Sequence, residues 1–346
     1  MIIHKQPLVS IITTFFNEEK LLERSLQSVK NQTYKNIELV LINDGSLDSS
    51  LEIAEKFKNE FDNCKIITIE NSGHSEARNF GLKNATGEFL TFFDADDELE
   101  ANMIEVCLNT ILEKKTDLVI SKFTIFNQNG NAEMVSGWKS RNQDITKTKD
   151  LQFEMFNHGI SENVWAKLFK SSLAKQIVFE KGLWFDDRPF MFEYLFIAKN
   201  VSFLENSLLK IHKRESSITR RLLEPKRITD ANKVFELELK IALKYGSDKI
   251  LKDKIAKHYL SVLVDNYLIQ IIEKKEIVNL FLVRKTFLDQ VKELDKMLKF
   301  ENIKICKKDF LMLKFLKLPS YFGWNFSNLI FQILKRKRIR GIKLLK

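Results

Sequence analysis

Three carboxylates fall within four positions at Asp94, Ala95, Asp96 and Asp97, directly after the apolar run Phe89–Phe93. Two carboxylates at i and i+2, leaving a buried strand, do not serve core packing. Their repulsion must be offset by a cation or by hydrogen-bond donors. Hard oxygen donors suit Mg²⁺ or Mn²⁺, which keep several waters and bind substrate phosphates. A local reading competes: Asp96 or Asp97 could cap a helix over Glu98–Lys114. Asp44 lies in Asn43-Asp44-Gly45-Ser46, a strong turn sequence in which it could do no more than fix the turn. Arg78 sits in the first turns of a helix beyond Gly73. It could pair with Glu76 or with water, or meet a diphosphate or a base.

These residues need elements to hold them. The runs Leu8–Thr14, Ile37–Ile42, Lys65–Ile69 and Gly87–Phe93 read as strands. Between them Leu21–Lys30, Ser49–Phe61 and Ser75–Lys83 have helical spacing. Strands alternating with short helices predict βαβ units, a parallel sheet and an α/β fold. In such sheets ligands bind at the carboxyl ends of the strands. The segments found there are Thr14–Glu19, Asn43–Asp48, Asn71–Asn79 and Asp94–Asp97. Farther on, Ala101–Lys114 predicts a helix, Asp117–Asn127 a strand, and 128–147 a loop or hairpin. Asn163–Phe169 and Asp187–Ala198 read as helical, Val201–Leu204 and Leu208–His212 as two short strands. From about Glu224 the pattern is helical only, over Ala231–Tyr245, Asp248–Glu273 and Glu276–Phe300. The expected division is therefore 1–222, then a helical region 223–346.

The 346 residues carry a net charge of +10. Nine of the basic residues lie beyond Asp309, the last acidic one, so the preceding body is balanced to within one charge. A nucleic-acid groove spread over the fold is disfavoured, and no nucleic acid is expected as partner. The segment 310–346 mixes Tyr321, Phe322, Trp324, Phe326 and Phe331 with Lys335-Arg336-Lys337-Arg338 and has no acid. That composition suits the surface of an anionic membrane. Cys64, Cys107 and Cys306 form no CxxC pair, which fits reduced thiols in a cytosol. No secretory pattern opens the chain, and no uncharged run approaches the roughly 20 residues of a membrane span.

Taken in order, LVSIITTFFNEEKLLERSLQSVKNQTYKNIELVLINDGSLDSS and ENSGHSEARNFGLKNATGEFLTFFDADDELE resemble the family 2 glycosyltransferases of the GT-A fold. The resemblance covers roughly residues 7–110 and continues more weakly to about 220. It implies a Rossmann-like mixed sheet flanked by helices, with 1–110 as the nucleotide-binding half and 111–222 as the acceptor half. It implies a nucleotide-sugar site, usually for a UDP-sugar, and a divalent metal, Mn²⁺ or Mg²⁺. Thr14 stands where the family usually has proline, its backbone against the base. Glu19 and Asp44 match acidic residues that contact the uridine, and Arg78 matches the arginine of an ARN motif. Asp94 and Asp96 match the DxD pair, with Ala95 between them and Asp96 as the direct metal ligand. Asp186-Asp187 matches an acidic pair ahead of a helix, whose second member is the general base; a neighbouring carboxylate and burial under Trp184 or Phe185 would raise its pKa. An N-cap role at Asp187, before Pro189, is compatible with that. Trp165 and Lys167, in a WNKLF-like segment with Ala166 replacing asparagine, fall with Trp184 on the acceptor side; a buried core Trp165 is the alternative. His212 and Arg214 match a basic segment that could neutralise the diphosphate.

The expected activity is thus inverting sugar transfer to a glycan or lipid-linked acceptor in capsule, lipopolysaccharide or other surface-polysaccharide synthesis. The expected place is the cytoplasm, at the inner face of the membrane. A nucleotidyltransferase would need a Gly-rich, Lys-containing opening, which is missing, and a dinucleotide oxidoreductase lacks its GxGxxG after the first strand. A non-catalytic adaptor working through the basic tail would leave the intact acidic positions without a purpose.

Overall fold

The computed structural model describes residues 6–136, 148–156, 159–214, 224–262 and 280–300. The chain divides into two compact units, Met1–Ser217 and Ile218–Lys346. The segment 310–346 lies outside the described residues.

Among the described residues the first unit is built on one mixed sheet of nine strands. β1 (Val9–Phe15), β2 (Ile37–Asn43), β3 (Cys64–Thr68) and β4 (Phe89–Asp94) run parallel, in the spatial order β3-β2-β1-β4. The chain moves outward from β1 to β3 and then returns to the other side of β1. The order therefore reverses between β1 and β4, which opens a crevice at their carboxyl ends. Strands β1 and β2 are buried along their whole length, as expected of a sheet covered on both faces. Helices α1 (Leu22–Lys30), α2 (Ser50–Lys58) and α3 (His74–Asn84) supply that cover. Gly81 lets α3 lie close: a Cβ there would stand 2.3 Å from a methyl of Ile12.

A buried carboxylate fastens the opposite end of these strands. Glu38 of β2 is 1% exposed. It accepts hydrogen bonds from Ser10 Oγ (2.6 Å), Lys65 Nζ (2.5 Å), the Thr86 amide (2.6 Å) and Thr86 Oγ1 (2.8 Å). Burial alone would raise its pKa, but Lys65 and the other donors outweigh this and hold it at about 2. A carboxylate so depressed stabilises the fold fully above its unfolded pKa and loses that contribution as pH falls toward 2. We expect Glu38→Gln to cost about 3 kcal/mol at neutral pH, with the deficit shrinking below about pH 4.5, as urea unfolding at several pH values will measure.

After β4 come the two-residue β5 (Glu98–Leu99), α4 (Met103–Lys114), β6 (Leu118–Phe126) and β7 (Ala132–Ser136). Strand β7 makes a hairpin with β6. Then follow α5 (Thr148–Phe156), β8 (Lys167–Lys170), the single turn α6 (Ser171–Ala174), α7 (Asp187–Ile197) and β9 (Val201–His212). Two expectations are corrected here. The segment 163–169 is not helical: its end is β8, wedged antiparallel between β4 and β6. A short apolar run in a fully buried strand has no periodicity to separate it from a helix. The two strands expected over 201–212 are one, running parallel to β6 through register shifts that absorb the polar Glu205-Asn206-Ser207.

Among the described residues the second unit is helical, with α8 (Pro225–Lys244), α9 (Lys249–Val262) and α10 (Leu280–Phe300). Pro225 opens α8, where its missing N–H costs nothing. Phe235 stacks on Tyr259, with ring centroids 4.7 Å apart, and Asn232 donates to the Gln290 carbonyl of α10.

Candidate active site

The register of the parallel strands sets out the floor of the site. Thr14 lies opposite Ile42 of β2 and opposite Asp94 of β4. Two segments far apart in sequence thus end side by side at the reversal point. The loops after β1 and β2 are laced together by Ser46 Oγ on the Asn17 amide, Asn17 Oδ1 on the Leu47 amide and Ser50 Oγ on the Glu18 amide. Glu19 is exposed, and its carboxylate accepts from the Ser49 amide at 3.2 Å. Asp44 is buried and takes the Ser72 amide (2.8 Å) on one oxygen and the Gly73 amide (3.0 Å) on the other. It binds the loop after β2 to the one after β3, with Gly73 at φ 90°, a conformation costly for other residues.

The acidic turn is held from two sides. Asp97 does not cap a helix, and neither does Asp96. The chain passes into β5, which pairs Glu98 with Lys210 and Leu99 with Leu209 of β9, and α4 starts only at Met103. That short pairing draws Asp94–Asp97 against the end of β9, where Asp97 Oδ1 accepts from the His212 amide at 3.2 Å. From α1, Arg24 donates to the Asp96 carbonyl at 2.6 Å and lies 3.2 Å from Glu98. Ala95 is buried in the core. Oxygens of Asp94, Asp96 and Asp97 all lie within 4.8 Å of one another. Burial raises the pKa of all three, most of all Asp97; repulsion from Asp94 adds at Asp96, and from Asp96 and Asp94 at Asp97. Three crowded oxygen donors with raised pKa values fit a hard divalent cation, which would relieve each of them. Asp97 stands with Asp94 and Asp96 in this group, and it does not cap a helix, the local alternative for it.

Two arginines face these acids. Arg214 lies 2.6 Å from Asp96 Oδ2 and makes a bidentate pair with Glu18 (2.7 and 2.9 Å) across 196 positions of sequence. Glu18 stands in the quoted loop after β1, but no local pattern announces a partner so distant. His212 is half-buried, stacks on Phe126 and lies 2.7 Å from Glu98. Burial, then Arg24, lowers its pKa. It belongs to the Glu98 side of the acidic turn, leaving Arg214 as the basic group against Asp96.

Arg78, 3% exposed, is the centre of the site. Its guanidinium bonds Asp187, lies 3.6 Å from Asp186 and 3.4 Å from Asp94, and sits over the Phe179 ring. Burial works against its charge, but Asp187, Asp186 and Asp94 outweigh it and the pKa rises. The acidic pair is brought here by Asn79, which accepts from the Phe179 amide and donates to the Phe179 carbonyl, both at 2.9 Å. Phe179 stacks flat on Phe190 of α7, centroids 4.1 Å apart. Asp186 takes the N-cap position without making a capping bond, and Asp187 begins the helix, so a cap does not account for either. Burial raises Asp186 to about 6, with Asp187 adding and Arg78 opposing. Asp187 is the more open of the two, its side chain 18% exposed against 7%. Its second oxygen accepts from the Val164 amide at 3.2 Å.

The expected acceptor-side residues separate. Trp184 is half-buried in the loop before Asp186. Trp165 packs edge-on against Phe123, centroids 4.6 Å apart, at the border of the core. Lys167 is corrected: it is 1% exposed in β8, and its ammonium folds back onto the carbonyls of Asn163 and Trp165. It cannot line an open acceptor surface. Ala166 between them has φ 57°, a left-handed backbone that asparagine tolerates better, which explains what the resembling segments gain from it.

Residues 10–174 match the model of glycosyl transferase family 2. The chain is similar to the cholesterol galactosyltransferase of Borreliella burgdorferi, 33% identical over 63% of this chain and 63% of that protein. It is also similar to the minor teichoic acid biosynthesis protein GgaA of Bacillus subtilis, 47% identical over 28% of this chain and 23% of that protein. The match thus spans less than two thirds of either curated relative. Among solved structures, S. aureus TarS residues 1–349, crystallised with UDP-GlcNAc, superposes with a TM-score of 0.72 at 19% identity, covering 95% of this chain and 92% of that one. That likeness shows the fold.

Proposed function

We propose that this chain, whose residues 10–174 match glycosyl transferase family 2 and whose fold is that of TarS, is a family 2 glycosyltransferase of the GT-A fold, transferring a sugar from a UDP-sugar to a glycan or lipid-linked acceptor in surface-polysaccharide synthesis, with inversion at the anomeric carbon. The UDP-GlcNAc held by TarS and the teichoic acid role named for GgaA support the donor and the pathway class. The observation that carries the reading is Arg78, standing between Asp94 at the strand ends and the Asp186–Asp187 pair. One cation joins the acids of the donor side to a carboxylate open enough to take a proton.

In this reading residues 1–110 hold the nucleotide and 111–222 face the acceptor. Thr14 and Asp44 border the base, and Asp94 stands beside Thr14 at the ribose. Asp187 removes the proton of the acceptor hydroxyl as the oxygen attacks the anomeric carbon from the face opposite the leaving group. Arg78 pairs with Asp187 and aims it. Arg214 supplies positive charge toward the departing diphosphate. A divalent ion, Mn²⁺ or Mg²⁺, held by Asp94, Asp96 and Asp97 would supply further charge stabilisation for that leaving group.

The test is a panel of nucleotide sugars incubated without acceptor. We expect slow hydrolysis of one UDP-sugar, abolished by EDTA and restored by Mn²⁺ or Mg²⁺. A preference for a different nucleotide, or hydrolysis indifferent to chelation, counts against the donor or the metal assignment respectively.

A further inference from the structure

Lys167 is a buried charge that sugar transfer, as described, does not use. Its Nζ lies on the carbonyls of Asn163 and Trp165, four and two residues earlier in its own chain. An ammonium taken from water into a protein interior costs several kcal/mol unless it is paired, and no carboxylate lies within ion-pair distance of it among the described residues. The ammonium closes a turn. The turn runs from Asn163 to Lys167, Ala166 at φ 57° reverses it, and the Ser121 amide and hydroxyl hold the Ala166 carbonyl at 3.0 and 3.1 Å. At the middle of that turn is the Val164 amide, which donates to Asp187 Oδ2.

We infer that Lys167 is a positioning residue for the general base: by fastening the carbonyls on either side of Val164, it aims the Val164 amide at Asp187 and brings a buried positive charge up behind the carboxylate. The inference rests on the reading of Asp187 as base. Its electrostatic side is consistent with the surroundings. The titratable groups facing Asp187 are Arg78 and His74 of α3, Asp94 of β4, the adjoining Asp186 and Lys167 beside the turn, while Glu162 stands by Lys167 and pairs with Arg188. Burial pushes Lys167 down to about 7, against the pull of Asp187 and then Glu162. At the acid side of any rate profile it is therefore charged and favours ionised Asp187.

The experiment compares Lys167→Met, Asp187→Asn and the double variant with wild type. Relief of a buried charge is offset by the loss of the donor to the Asn163 and Trp165 carbonyls, so Lys167→Met should melt within a few degrees of wild type. UDP binding with Mn²⁺, read by calorimetry, should stay within about twofold, because the change lies on the far side of Arg78. Turnover of the UDP-sugar that wild type hydrolyses fastest should fall about 10- to 100-fold. The acid limb of the rate profile should move up by about half a unit, which a merely structural role would not do. In the Asp187→Asn background the loss should vanish. Unchanged turnover and acid limb in Lys167→Met overturn the inference, as does an equal loss with and without Asp187. Should Lys167→Met melt low, Lys167→Gln, which keeps N–H donors without charge, takes its place under the same criteria. If Asp187→Asn itself retains turnover, the base assignment fails, a separate result from the failure of Lys167.

Discussion

Replacing Asp187 by asparagine should lower sugar transfer by about 10²- to 10⁴-fold while leaving UDP–Mn²⁺ binding nearly unchanged. Asparagine keeps the shape and the acceptor oxygen that the Val164 amide requires. It removes the charge proposed to take the proton, and with it the ion pair to Arg78. The loss should therefore appear in kcat, with KM for the donor moved little. Asp186→Asn is the control. That carboxyl is the more buried member, raised to about 6, and it lies 3.6 Å from Arg78. Its substitution should cost far less turnover. If the two variants exchange these effects, the base is Asp186.

The second large effect is expected from Arg78→Met. Methionine fills the space over the Phe179 ring but leaves Asp94, Asp186 and Asp187 together with no guanidinium between them. Breaking a buried charge cluster on one side costs about 3–5 kcal/mol. The pH dependence follows from the acids left behind. Without Arg78 the folded-state pKa values of Asp94 and Asp186, already raised by burial, rise further above the unfolded value. The penalty is then absent below the unfolded pKa of 3.8 and complete only above the raised one, which for Asp186 is already about 6 with Arg78 present. Urea unfolding in EDTA should show variant and wild type converging near pH 4 and separating toward pH 7.5. Loss of stability that is flat with pH would mean that Arg78 acts by packing alone.

Much of this site is readable in the chain. The alternation of apolar runs with helical spacing yields the βαβ order, and turn-forming polar residues follow each run. Thr14, Asp44, Arg78 and Asp94 then fall at the carboxyl ends because strands so ordered must bring them there. What is unreadable has a common physical cause. Strand β8 is four residues long and buried on both faces, so no period marks it. Glu18 and Arg214 are 196 residues apart, and Asn79 and Phe179 are 100 apart. Such partners are chosen by sheet register, not by local spacing. Lys167 looks like a surface lysine until β4 and β6 close around it.

The sequence by itself therefore determined which residues stand at the strand ends of the parallel half, since the motifs there are local: each lies in one loop after one strand. It also determined the charge division at Asp309, which is simple counting. Only the tertiary structure decided how the acids are used. It showed Asp97 turned inward by the pairing of β5 with β9, Asp187 joined to Asp94 through Arg78, and Lys167 buried behind Asp187. Charge interactions depend on distance and burial, and both are settled when separate strands share one sheet.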